Sequence, residues 1–119
     1  MNERRTTYRL DISLPSTLET DQGGQDRAQA VILNISATGV CVISKAKFEE
    51  GESFLLKVKL PDMVATIKAK IVWFKEVVGF NGREFMYGIR IMDDMQFDEE
   101  KFIKFYADKL YEYFKMPKQ

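Results

Sequence analysis

At 119 residues, 45% of them hydrophobic, the chain has the size of one domain with one core. Eighteen lysines and arginines balance eighteen aspartates and glutamates, so no global field draws it to duplex nucleic acid or to an anionic membrane, and any anion must be met by a local cluster. With no histidine and one cysteine, the usual general base, the commonest metal ligand, thiolate zinc sites and disulfide frameworks are all disfavoured.

The N-terminus, Met1-Asn2-Glu3-Arg4-Arg5, is polar where a secretory leader would be apolar, and no apolar run reaches the roughly 18 residues of a membrane span. The expectation is a cytoplasmic protein without membrane insertion. Arg9 follows Arg5 at a spacing of four, just before apolar alternation begins at Leu10, Ile12 and Leu14. Residues 1–9 read as an arm and 10–119 as the folded body. Asp21-Gln22-Gly23-Gly24-Gln25-Asp26 is a loop by composition, and residues 28–33 form the next strand.

Val31, Ile32 and Leu33 lead into Asn34-Ile35-Ser36-Ala37-Thr38-Gly39, and Val40, Cys41, Val42 and Ile43 lead out. This predicts two buried strands joined by a reverse bend at a sheet rim, where Asn34 and Ser36 can read the polar edge of a small planar molecule. Gly39 allows a backbone angle or a close approach that a side chain would block. Taken alone, the same composition describes a plain strand connection. Cys41 reads as core.

Phe48 is placed under the barrel end, and Phe54, Leu56, Val58 and Leu60 alternate with Lys57 and Lys59 as a half-exposed strand. Pro61-Asp62 breaks it. A long strand over 64–77 runs to Asn81-Gly82, a strong hairpin signal. A two-residue turn there sets Phe80 opposite Arg83, Val78 opposite Phe85, Phe74 opposite Ile89 and Val72 opposite Ile91, unless a bulge at Gly79 shifts the register. Ile67, Ala69, Ile71 and Trp73 occupy the other face, so this strand is predicted to be buried on both sides. Should the helix leave Trp73 uncovered, that face is the place for a homodimer contact.

A helix is predicted over 98–115, with Asp98 as N-cap, Phe97 and Phe102 as a hydrophobic staple and Pro117 as the stop. Its apolar stripe is Phe102, Phe105 or Tyr106, Leu110, Tyr113 and Phe114. Asp93-Asp94 and Asp98-Glu99-Glu100 flank the helix start, where acids suit the dipole; they are not read as catalytic. The expectation is a protein that is not an enzyme and carries no cofactor or metal. Tyr106, Tyr111 and Tyr113 have helical spacing, which is wrong for a flat stack of bases. With the zero net charge, this argues against binding DNA or RNA.

Arg5 and Arg9 could converge on one anionic ligand, since a guanidinium keeps its charge and donates paired hydrogen bonds to a phosphate or to a guanine edge. Alone they read as a solvated basic tail. Together, however, Arg4-Arg5-Thr6-Thr7-Tyr8-Arg9 followed by Asn34-Ile35-Ser36-Ala37-Thr38-Gly39 resembles the two-part signature of PilZ domains, bacterial receptors for cyclic di-GMP. Ile71-Val72-Trp73-Phe74 and Tyr87-Gly88-Ile89-Arg90-Ile91 look like the fifth and sixth strands of that family. The resemblance implies a mainly β fold, a six-stranded antiparallel barrel with a C-terminal α-helix.

It further implies that Arg5 and Arg9 hold phosphates and a guanine Hoogsteen edge with help from Arg4, that Asn34 and Ser36 bond a guanine, and that Gly39 keeps the bend open. Asn34 stands where many members have Asp, and Ile91 where an aromatic is common. An amide lacks the charge-assisted bond that a carboxylate makes to guanine donors, so a modest affinity is expected. The implied function is that of a cyclic di-GMP receptor which orders its arginine arm on binding and signals to a downstream protein partner. A PilZ-like adaptor that does not bind the nucleotide is the alternative.

Overall fold

Alternating apolar side chains give each strand an inward face, and six strands share those faces around one core. The computed structural model describes residues 9–20, 27–79, 82–92 and 97–115. The expectations for Arg4, Arg5, the 21–26 loop, Phe80, Asn81, Asp93, Asp94 and Pro117 lie outside the described residues. The elements are β1 (Leu10–Thr20), β2 (Arg27–Ile35), β3 (Gly39–Ser44), β4 (Ser53–Lys59), β5 (Val64–Gly79), β6 (Gly82–Ile91) and α1 (Glu99–Lys115). All strand pairs are antiparallel, and the ring closes in the order β1-β2-β3-β6-β5-β4. This is the expected barrel with a C-terminal helix.

Closure depends on two long strands that each serve two neighbours. β5 pairs with β4 through residues 64–70 and with β6 through 69–79. β1 likewise pairs with β2 and, through Ser16 to Thr20, with β4. Leu18, Ile32, Val42, Leu56, Ile67 and Tyr87 fill the interior. Phe48 closes one end as expected, edge-on to Phe54 (centroids 5.0 Å) and Tyr87 (6.0 Å). The Tyr87 hydroxyl accepts from the Phe48 amide at 2.8 Å and donates to the Ala46 carbonyl at 2.6 Å. Cys41 is buried, as its apolar setting predicted.

Three sequence expectations are corrected. The β5–β6 ladder begins with Gly79 opposite Gly82, followed by Val78 opposite Arg83 and Phe74 opposite Tyr87, so the register differs from that of an Asn81-Gly82 turn. Gly82 has φ 92°, a conformation suited to a glycine that closes the connection and joins the ladder instead of forming its centre. A second shift lies between Ile71 and Trp73, not at Gly79, and brings Ile71 opposite Ile89 and Ala69 opposite Ile91. This irregularity interrupts the alternation that buries Ala65, Ile67, Ala69 and Ile71, and both Val72 and Trp73 turn outward. β5 is therefore not buried on both sides. On β2, Val31 faces solvent too, so that strand is covered on one face only.

The third correction concerns α1. Phe102 and Tyr106 are buried, and Phe105 and Leu110 are half-buried against the core, but Tyr113 and Phe114 are exposed because the barrel end covers only the first turns. Phe97 is also exposed, so it makes no enclosed staple with Phe102. Asp98 does stand at the helix start, its carbonyl accepting from the Phe102 amide at 3.0 Å. Its carboxylate instead accepts from the Thr66 amide at 2.8 Å, and its own amide donates to the Thr66 carbonyl at 2.8 Å.

The fully buried Glu99 continues this edge, accepting from the Phe97 amide (2.9 Å) and the Lys68 amide (3.4 Å). The β5–β6 pairing ends at Ala69 opposite Ile91, and the chain entering α1 thus satisfies backbone groups that β6 does not reach. Among the described residues, no helix is long and apolar enough to cross a membrane.

Candidate functional site

The β2–β3 connection is held by its own side chains. The Ser36 amide donates to the Gly39 carbonyl at 2.9 Å. The Ser36 hydroxyl accepts from the Thr38 amide (3.3 Å) and the Gly39 amide (3.2 Å) and lies 3.3 Å from the Gly39 carbonyl, to which it donates. With Ser36 only 3% exposed, its hydroxyl is committed to shaping the bend. Gly39 lies so close to β6 that a Cβ there would enter the van der Waals shell of the Ile89 carbonyl oxygen. The requirement for glycine is this close approach. The Ile91 amide then ties the bend to β6 by donating to the Thr38 carbonyl at 2.9 Å.

Asn34 precedes the bend, where β2 and β3 shift register between Ile32 and Asn34. Its Oδ1 accepts from Arg9 Nη1 at 2.8 Å across the β1–β2 edge. The two halves of the sequence signature, 25 positions apart, therefore touch. With Oδ1 engaged, the groups that Asn34 and Arg9 have left to offer are mainly N–H donors, and donors suit phosphate oxygens and the O6 and N7 acceptors of guanine. Cys41 lies opposite Asn34 in the β2–β3 ladder. Burial pushes its thiol pKa up, against a smaller downward pull from the Arg9 charge.

Beside this rim is a surface cavity of about 450 Å³, a volume within the usual range for small-ligand sites. Arg9, Ser36, Thr38 and Gly39 line one side, and Val72, Trp73, Gly88 and Arg90 the other. Its lining contains two arginines and no carboxylate. Arg90, set opposite Gly39 by the β3–β6 ladder, is exposed and forms no ion pair among the described residues. A larger depression of about 970 Å³ runs over β1 to β4, but Glu19 already pairs there with Arg27 (3.3 Å) and Lys57 (3.4 Å). The smaller cavity is the one whose lining holds arginines and no acidic side chain.

Of the sequence-predicted site residues, Arg9, Asn34, Ser36 and Gly39 gather at this cavity or its rim, whereas Arg4 and Arg5 lie outside the described residues. Trp73, Arg90 and Thr38 were not singled out from the sequence as ligand contacts. The alternation of Ile89, Arg90 and Ile91 does mark Arg90 as outward-facing, but only the β3–β6 pairing puts it beside Gly39.

The PilZ domain family model matches residues 3–108. No curated protein matches the sequence. Among solved structures, the PilZ domain with c-di-GMP of YcgR from Escherichia coli is 14% identical with a TM-score of 0.66, covering 97% of this chain and 100% of that one. The K. pneumoniae MrkH–c-di-GMP complex is 13% identical with a TM-score of 0.74 over 96% of this chain. The Bacillus subtilis inhibitor of motility MotI is 19% identical with a TM-score of 0.66 over 93% of this chain. This chain spans about half the length of the latter two, 56% and 53%. At these identities the likeness is one of fold.

Proposed function

This chain belongs to the PilZ domain family, and from that premise we propose that it is a receptor for cyclic di-GMP, binding the nucleotide at the cavity between the Asn34–Gly39 bend and β6. The observation that carries the reading is the Arg9–Asn34 hydrogen bond at the rim of a cavity lined by arginines and no carboxylate. Arg9 would hold a phosphate or the Hoogsteen edge of a guanine, Asn34 would bond the same base, and Ser36 would act through the bend it shapes. Arg5, assisted by Arg4, would close over the ligand as residues 1–9 order around it. The closed arm would form the surface read by a downstream protein in the cytoplasm.

Isothermal titration calorimetry with cyclic di-GMP, with GMP as control, tests this. Saturable binding of the dinucleotide supports the reading. No binding at ligand concentrations near a millimolar, about −4 kcal/mol of affinity, would sink it. In that case the adaptor reading stands, and it has its own observation: Tyr111, Tyr113 and Phe114 are exposed at the end of α1, where an apolar partner could dock.

A further inference from the structure

α1 runs past the surface that covers it. Phe102 and Tyr106 are buried and Ile103 and Leu110 half-buried, but Tyr113 and Phe114 are 49% and 56% exposed. At a rise of 1.5 Å per residue the helix continues for about 13 Å from Tyr106, its last buried residue, to Lys115. Ile103, Tyr106, Leu110 and Tyr113 follow one another at spacings of three, four and three, the alternation that one helix presents to another. The barrel uses the first half of this seam and leaves the second half bare.

The polar side of α1 narrows the choice of occupant. Lys104 is paired with Asp108 at 3.1 Å and Lys109 with Glu112 at 3.5 Å. Lys109 also lies over the Phe105 ring at 5.7 Å, and Lys115 over the Tyr111 ring at 5.3 Å. These charges are matched or laid on rings within the helix, while Leu110, Tyr113 and Phe114 carry none, so the bare seam offers nothing to an acidic or basic partner. In a two-fold contact each group near the axis meets its own copy, and a charge there would repel itself. This seam has none, and the zero net charge of the chain adds no long-range repulsion between copies.

We infer that the last turns of α1 pair antiparallel with those of a second copy, Leu110 of each helix against Tyr113 of the other, in a two-fold dimer. The antiparallel sense follows from the barrel covering the N-terminal half of the helix: that crossing overlaps the C-terminal turns and keeps the two barrels apart. The contact lies on α1 and not at Trp73, which lines the nucleotide cavity, and it does not rest on the nucleotide reading. Tyr113 and Phe114 would each remove roughly 100 Å² from water, and with Leu110 and both helices counted the contact buries roughly 500 Å². That is well below the roughly 1,600 Å² of a standard interface, so the dimer is weak and reversible, with an expected dissociation constant of about 10–500 µM.

Sedimentation equilibrium of the full chain from about 10 µM to about 1 mM should show a monomer–dimer equilibrium in that range. Tyr113→Glu and Tyr113→Lys, each at an exposed position and checked for folding by circular dichroism, set like charges across the axis and should each weaken dimerisation by about tenfold or more. An equimolar mixture of the two should dimerise again, and Val78→Glu, at the exposed end of β5, should leave the equilibrium unchanged. A wild-type chain that is monomeric throughout overturns the dimer and leaves the seam to a heterologous partner. A dimer that survives both Tyr113 variants, a loss equalled by Val78→Glu, or a mixture that stays monomeric overturns the α1 contact. Should a Tyr113 variant fail to fold, Phe114→Glu and Phe114→Lys take their place.

Discussion

Gly39→Ala tests the close packing of the bend against β6. The added methyl would penetrate the van der Waals shell of the Ile89 carbonyl oxygen, with Ile89 C at 3.4 Å and Arg90 Cα at 3.6 Å behind it. All three are backbone atoms in a paired strand, so relief requires β3 and β6 to separate. Overpacking of this kind costs about 1–3 kcal/mol, and straining the Ile91–Thr38 bond or a neighbouring ladder bond adds about 1 kcal/mol. Loss of glycine freedom in the unfolded chain offsets about 0.4–1 kcal/mol.

The net expectation is about 2 kcal/mol, seen in a urea titration as a midpoint lowered by about 1 M. Gly79→Ala and Gly51→Ala serve as controls, because neither Cβ would meet an atom within 4 Å. Gly79 lacks a positive φ and should stay within about 0.5 kcal/mol of wild type, while Gly51 at φ 89° should cost about 1 kcal/mol from backbone strain alone. If Gly39→Ala proved as neutral as Gly79→Ala, the reasoning about the bend would be refuted.

Tyr87→Phe leaves the Phe48 amide and Ala46 carbonyl without their partner and should destabilise by about 1–3 kcal/mol at neutral pH. Burial raises the Tyr87 pKa above its ordinary value, so this contribution is complete below about pH 10 and is lost as pH rises through the folded value; denaturation curves of wild type and variant should converge at alkaline pH. Glu99→Ala should cost about 1–3 kcal/mol in thermal unfolding by stranding the Phe97 and Lys68 amides, with Glu99→Gln milder because one acceptor oxygen remains; equal effects would contradict the edge-satisfying role. Arg9→Ala should weaken cyclic di-GMP binding by about 1.5–3 kcal/mol in calorimetry, with wild-type binding weakening as salt rises; a salt-independent affinity would exclude phosphate contacts.

Much of the architecture was legible because alternation is a local property. Leu14, Leu18, Leu56, Val58, Ile67 and Ile71 announce inward faces without reference to any partner strand, and the aromatic stripe beginning at Phe102 announces the helix. Gly39 was legible as a place needing no side chain. Local pattern could not reveal that Asp98 and Glu99 complete the edge of β5, for their acidity is equally explained by the helix dipole.

The sequence by itself determined the inward faces of the strands as far as Ile71 on β5, the helix, the bend at residues 34–39 and, through two short motifs, the family, since each of these patterns is written in residues that are neighbours along the chain. Tertiary structure alone decided that the Ser36 hydroxyl is held within the bend, that Arg90 stands beside Gly39, and that Trp73 lies open over Gly88. Those outcomes depend on register. A single extra residue between Ile71 and Trp73 inverts every face beyond it, and its position is settled by competition among long-range pairings that no short stretch of sequence contains.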